Sequence, residues 1–120
     1  KAFGIGAVVS AADLDAAVAT VGGVAVKEDI AAYIVDIVRA TRETPALQTG
    51  ASPRAAAAIA AAARAHAALD GRDFVIPDDV KTLAVPALRH RVILSPAAEI
   101  EGRTTDETLA SIIDQTAAPR

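Results

Sequence analysis

Apolar residues recur along this chain at helical spacing, and short polar, glycine or proline stretches divide them into segments. Leu14, Ala17, Val18 and Val21 fall at i, i+3, i+4 and i+7. They predict a helix that starts at Ser10-Ala11-Ala12-Asp13, with an acid in its first turn, and stops at Gly22-Gly23. A second helix is predicted over about 27–41, opened by Lys27-Glu28-Asp29. Ile30, Ile34, Ile37, Val38 and Thr41 form its apolar stripe beside Tyr33, and Arg42-Glu43-Thr44-Pro45 breaks it. A loop then runs to Ala51. The third helix covers about 53–69, with Ser52 as N-cap and Pro53 at the first helical position. Between Ala55 and Ala68 only Ile59, Arg64 and His66 are not alanine. Alanine is the strongest helix former, and its small side chain lets neighbouring helices approach closely. Asp70-Gly71 is the stop, with Gly71 expected in the left-handed conformation.

Phe74-Val75-Ile76 reads as extended before Pro77, and Pro77-Asp78-Asp79 opens a fourth helix with Val80, Leu83, Ala84, Ala87 and Leu88 on its apolar face. Pro86 falls inside that pattern and is expected to bend the helix or divide it in two. Val92-Ile93-Leu94 is expected to pair with 74–76 as a two-stranded ribbon. Ser95-Pro96 and Glu101-Gly102 read as loops. Thr104-Thr105-Asp106-Glu107 is a capping box that starts a final helix through Leu109, Ile112 and Ile113, and 117–120 should fray. The fold class is mainly α: a four- to five-helix bundle with at most a minimal two-stranded β-ribbon.

Composition narrows this picture. At 120 residues the chain makes one modest domain. Only Phe3, Tyr33 and Phe74 are aromatic, so Ile, Val, Leu and Ala must build the core. A net charge of -3 leaves no basic field for a nucleic acid backbone, and no helix carries a basic stripe, which argues against DNA binding. The absence of cysteine excludes disulfides and allows a cytoplasmic setting, which is the expectation here. The apolar run 56–63 is too short for a bilayer, so no membrane partner is expected. The N-terminal apolar segment is cut short by Asp13 and Asp15, which rejects a signal peptide. Residues 1–7 read as a junction between domains or an artificial extension, and 8–120 as one domain.

The most informative chemistry lies at Gly50-Ala51-Ser52-Pro53-Arg54. Arg54 falls in the first turn of the alanine-rich helix, at the positive end of its dipole, the unfavourable end for a cation. An arginine beside unpaired backbone amides is explained if an anion such as phosphate binds there. The bland alternative is a solvated arginine, or one paired with Asp36 or Glu43. Ser52 and Pro53 set the angle at which Arg54 leaves the helix, and Gly50 is expected to need φ > 0.

Gly50-Ala51-Ser52-Pro53-Arg54-Ala55 also resembles the sensor 2 segment of the MoxR-type AAA+ ATPases. Tyr33-Ile34-Val35 leading to Thr41-Arg42, Gly71-Arg72-Asp73-Phe74-Val75-Ile76-Pro77-Asp78-Asp79-Val80, and Leu88-Arg89-His90-Arg91 are similar to that family in the same order and spacing. The resemblance covers roughly 8–120, in that family the C-terminal helical lid. This sequence holds no glycine-rich phosphate loop and no hydrophobic strand ending in paired acids. The resemblance therefore implies a lid without its ATPase core, unable to hydrolyse ATP alone. It implies that Arg54 senses nucleotide phosphates, supported by Gly50, Ser52 and Pro53, and that Arg42, Arg72, Arg89, His90 and Arg91 are available for contacts to the core or a neighbouring subunit. ATP and Mg²⁺ would belong to the parent protein, with neither held tightly by the isolated domain. The implied partners are the AAA+ core, neighbouring subunits of a hexameric ring, and von Willebrand A-domain proteins, in a chaperone-like remodelling role.

Each remaining position has a plain reading. Arg72-Asp73 reads as a solvated loop pair. Arg89-His90-Arg91 complements a helix C-terminus, and Thr41-Arg42 is a helix end. His66 faces Asp70 at i+4 as an ordinary helical ion pair, and no metal site is expected. Asp78-Asp79 reads as helix-start acids rather than an acid–base pair. A free-standing helical interaction module is the alternative from another class. An exposed apolar face suits both readings, whereas a phosphate loop upstream belongs only to the first.

Overall fold

In the computed structural model, which describes residues 3–120, six helices and two short strands follow one another. They are α1 (Ala11–Gly22), α2 (Glu28–Glu43), β1 (Leu47–Thr49), α3 (Pro53–Leu69), α4 (Pro77–Leu88), β2 (Ile93–Leu94), α5 (Pro96–Ile100) and α6 (Thr105–Gln115). The junction expected over 1–7 lies partly outside the described residues.

Local chemistry accounts for the helix ends. Ser10 and Asp13 exchange bonds as a capping box at the start of α1, with Asp13 N–H to Ser10 Oγ at 3.1 Å and Ser10 N–H to Asp13 Oδ2 at 2.8 Å. Accepting the Ser10 N–H, and then the nearby Ser10 hydroxyl, lowers the Asp13 carboxyl from its ordinary value. Thr104 and Glu107 repeat the device at α6. Gly71, at φ +74°, ends α3 in the left-handed region while Arg72 N–H reaches back to the Ala67 carbonyl at 2.9 Å.

The core forms where the apolar stripes meet. Ile30, Tyr33, Ile34, Ile37, Val38 and Thr41 of α2 are all buried. On α3 the buried stripe is Ala55, Ile59, Ala63 and Ala67, spaced every four residues. Three of its four members are alanine, so α3 lies close against α4, its most extensive neighbour, and against α2. Val80, Ala84 and Leu88 of α4 and Leu109, Ile112 and Ile113 of α6 complete one continuous cluster.

Five expectations need correction. The ribbon exists with a different partner: β2 pairs antiparallel with β1, Leu47 opposite Leu94 and Thr49 opposite Ile93. Leu47 is buried and anchors a segment that reads in sequence as plain loop. Phe74 instead bridges Ala25 in parallel, through Ala25 N–H to Asp73 O at 2.8 Å and Val75 N–H to Ala25 O at 2.9 Å. Pro86 does not divide α4, which runs unbroken to Leu88. It sits near the C-terminal end, where few helical bonds remain to be lost, and buried Ala84 and Leu88 hold the last turn in place. Ser95-Pro96 opens the short helix α5 rather than a loop, with Ala98 N–H bonded to Ser95 Oγ at 3.2 Å, and Gly102 at φ +78° closes it. The tail does not fray freely, because Ala118 packs against the core and Pro119 and Arg120 line a groove with Ile30 and Phe74. Finally, α1 forms as expected yet buries none of its residues, leaving Leu14 and Val18 exposed.

Candidate functional site

The end of α2 and the start of α3, which carries the sensor-like segment, line one groove. Val35, Val38, Arg39 and Arg42 of α2 and Pro53 and Ala56 of α3 line an open, mostly apolar groove of about 290 Å³. Arg54 follows Pro53 on the first turn of α3 and is exposed. Among the described residues it forms no ion pair: Asp36, one suggested partner, instead faces Arg39 at 3.9 Å, and both are well exposed. A pair so exposed contributes little, so Arg39 remains available to the groove. Arg42, in the last turn of α2, is exposed beside it.

Two supporting residues act differently from expectation. Ser52 holds the extended N-cap conformation, but its hydroxyl makes no bond to the first turn, so no side chain caps the amino end of α3. Ala55 N–H bonds the Ser52 carbonyl instead, at 2.9 Å. Gly50 does not have positive φ. Glycine is required there by proximity: a Cβ would lie 2.5 Å from the Thr41 carbonyl oxygen and 2.7 Å from Arg42 Cα. Thr41 itself is fully buried, donates to the Val38 carbonyl at 2.6 Å and accepts from Ala51 N–H at 2.9 Å. Composition and periodicity place Thr41 in the core stripe, but nothing in the sequence shows which amide its hydroxyl reaches.

The second polar centre lies at the other end of α3. Arg72 is no solvated loop residue. Its guanidinium grips Asp79 through two bonds, Nη1 to Oδ2 at 2.7 Å and Nη2 to Oδ1 at 2.6 Å. It also donates to the Phe74 carbonyl at 3.0 Å and to Asp70 at 3.2 Å. Asp79 is 1% exposed and accepts in addition from Ile76 N–H at 2.8 Å. His66 Nδ1 stands 2.7 Å from Asp79 Oδ1, so His66 pairs with Asp79 rather than with Asp70. The charge-assisted bonds from Arg72 hold the Asp79 carboxyl well below the usual carboxylate range against the opposing effect of burial. The same bonds push the guanidinium of Arg72 further toward its charged form. Asp79 is therefore more than a helix-start acid: it ties the 70–76 loop to α3 and α4. The sequence signal that could have found it is an arginine, a proline and a first-turn acid within eight residues.

Arg89 stands at the C-cap of α4 and pairs with Asp106 in the first turn of α6 at 3.1 Å, both half exposed. His90 and Arg91 are exposed. This cluster lies apart from the groove, and no charge from it enters the core. The hydroxyl of Tyr33 is enclosed without a hydrogen-bond partner among the described residues. Burial, and then the charges of Asp114 and Asp78, push its ionisation up from the ordinary value.

Known proteins are similar to this chain. The family description "AAA lid domain" matches residues 39–112. YeaC of Bacillus subtilis (strain 168), itself uncharacterized, is 42% identical over 92 residues, 77% of this chain and 29% of that protein. Chaperone MoxR1 of Mycobacterium tuberculosis is 36% identical over 97 residues, covering 73% of this chain and 26% of its own length. A crystal structure of a candidate ATPase from Cytophaga hutchinsonii superposes with a TM-score of 0.79 at 32% identity, over 85% of this chain and 34% of that one. The chain thus spans about a third or less of the relatives it matches. With the helical architecture and the lid description both covering the segment that carries Arg54, this chain belongs to the AAA lid-domain family and is a lid of the MoxR type.

Proposed function

We propose that this domain, taken as 8–120 with 1–7 as a junction, closes over ATP held by the core of the same AAA+ protein and contacts its phosphates through Arg54. The observation that carries this reading is the state of α3's first turn. Arg54 is exposed, forms no ion pair among the described residues, and stands at a helix start that no side chain caps. A cation at the positive end of a helix is unfavourable alone and becomes favourable when an anion joins the guanidinium at the helix start. Arginine offers a fork of donors that matches phosphate oxygens and keeps its charge at any working pH. Arg39 and Arg42 beside the apolar groove add positive potential to the same face.

In this reading ATP and Mg²⁺ are bound by the core, and the lid supplies no phosphate cradle, metal ligand or water-positioning group. Its contribution is to close, to place Arg54, and to move as ATP is bound, hydrolysed and released in a chaperone-like remodelling cycle. Neighbouring subunits of a six-membered cytoplasmic ring and von Willebrand A-domain proteins are the partners this reading carries. Exposed Arg42, Arg89, His90 and Arg91 are its contact residues on the lid surface. Arg72 is better placed inside the domain, since its donors already serve Asp79, Asp70 and Phe74.

The test is Arg54→Ala in the full-length ATPase. Turnover should fall on the order of ten- to a thousandfold, the range seen when one donor to a developing charge is removed. The lid should melt as before, because an exposed, unpaired side chain contributes little to stability. Unchanged turnover would remove the phosphate contact from the proposal.

A further inference from the structure

We infer that Thr41 and Gly50 form a positioning clamp that fixes where the first turn of α3, and with it Arg54, stands relative to the end of α2. The inference rests on the phosphate-contact reading for what Arg54 does, and on the local geometry for how it is held. The usual device for setting a helix start is idle here, because Ser52 occupies the N-cap without bonding the first turn. A bond from another helix takes its place. Ala51 N–H, one residue before that N-cap, donates to Thr41 Oγ1 at 2.9 Å, and the same hydroxyl donates to the Val38 carbonyl at 2.6 Å. The hydroxyl is thereby oriented by its donor bond and accepts with a fixed lone pair. Thr41 is fully buried and Ala51 is 1% exposed, so this bond is shielded from water and its loss would strand an amide.

Gly50 acts on the same junction by shape. The atoms a Cβ would strike there are the Thr41 carbonyl oxygen and carbon and Arg42 Cα. All are backbone, so none can rotate aside, and any side chain at 50 must push the α3 start away from the α2 end. Arg42 directly follows Thr41, and Arg54 lies two residues beyond the N-cap. The clamp is therefore a short covalent and hydrogen-bonded path between the two arginines. Neither Thr41 nor Gly50 is a catalytic residue; both act through Arg54.

Thr41→Val in the full-length ATPase keeps the side-chain shape and removes the hydroxyl. We expect kcat/KM for ATP to fall on the order of ten- to a hundredfold, as for a misplaced catalytic group. Thr41→Ser, which keeps the hydroxyl, should retain most of the activity. Ile113→Val on α6, a core change of similar thermal cost, should leave turnover unchanged. Thr41→Val added to Arg54→Ala should cause no further loss, because the clamp then has nothing to position. Geometry can be read separately from activity. Spin labels at Asp36→Cys on α2 and Ala57→Cys on α3, in a background free of other cysteines, should show a shifted or broadened distance distribution with Thr41→Val or Gly50→Ala. Unchanged label distances in both variants, or losses that multiply in the double variant, would overturn the clamp. A silent Arg54→Ala with shifted label distances would instead sink the phosphate contact and leave the clamp standing.

Discussion

Asp79 shows how a single buried carboxylate can organise a loop. It accepts two bonds from Arg72, one from Ile76 N–H, and lies 2.7 Å from His66 Nδ1. Each lone pair has a partner, which is the condition for a buried charge to be tolerated. Its carboxyl titrates below the ordinary value of 3.8 in the folded protein. The stability it contributes is therefore fully present above that value and is lost as pH falls through it toward the folded-state pKa. Asp79→Asn should cost about 2–3 kcal/mol near neutrality, because it removes the buried charge that Arg72 grips through two bonds. The gap between variant and parent should narrow in denaturant melts below about pH 4, where the unfolded chain's carboxyl takes up a proton while the folded one is still ionised. A gap independent of pH would mean that shape, not charge, holds the loop. From sequence, Asp78 and Asp79 are equivalent first-turn acids. Only the return of Arg72 across the turn distinguishes them.

At the scale of elements, α3 sets the packing. Its buried face is Ala55, Ile59, Ala63 and Ala67, and three alanines let α4 and α2 approach closely. Ala63→Leu should destabilise the domain by about 1–3 kcal/mol through overpacking, measured by urea unfolding. The exposed Ala57→Leu on the same helix should change stability by less than about 0.5 kcal/mol. Equal effects at both sites would mean that α3 does not lie as close to its neighbours as its alanines permit. The alanine run was legible in sequence as a helix, and its smallness as a packing feature. The identity of the facing helix was not, since alanine carries no pairing preference. The same limit explains the ribbon: Ile93 and Leu94 read as extended and 47–49 as loop, and the fold-back of α2 and α3 presented β1 rather than 74–76.

Taken whole, the molecule is unevenly consolidated. α2, α3, α4 and α6 share one core, whereas α1 packs against α3 without burying a residue. Segments with few buried contacts open at low free energy. Amides of α1 should therefore exchange with solvent well before those of α3 and α4 in this chain, as read by hydrogen exchange at neutral pH. Equal protection would show that α1 is held by interactions its exposure does not suggest. None of the described helices is long and apolar enough to cross a membrane.

The sequence by itself determined where α1 and α6 begin and where α3 ends, because those signals act within a few residues: Ser10 with Asp13, Thr104 with Glu107, Gly71 in the left-handed region. It also carried the lid-like order of motifs around Arg54. Tertiary structure alone decided what lies opposite each polar group. Gly50 is glycine because the Thr41 backbone crosses beside it, and not for its φ. Ala51 N–H is satisfied by Thr41, and Asp79 by Arg72 and His66, across turns and between helices. Local signals depend on neighbours in the chain, which the sequence states outright. Buried polar pairing and close backbone approach depend on which atoms meet after the helices pack, and packing is a property of the whole core.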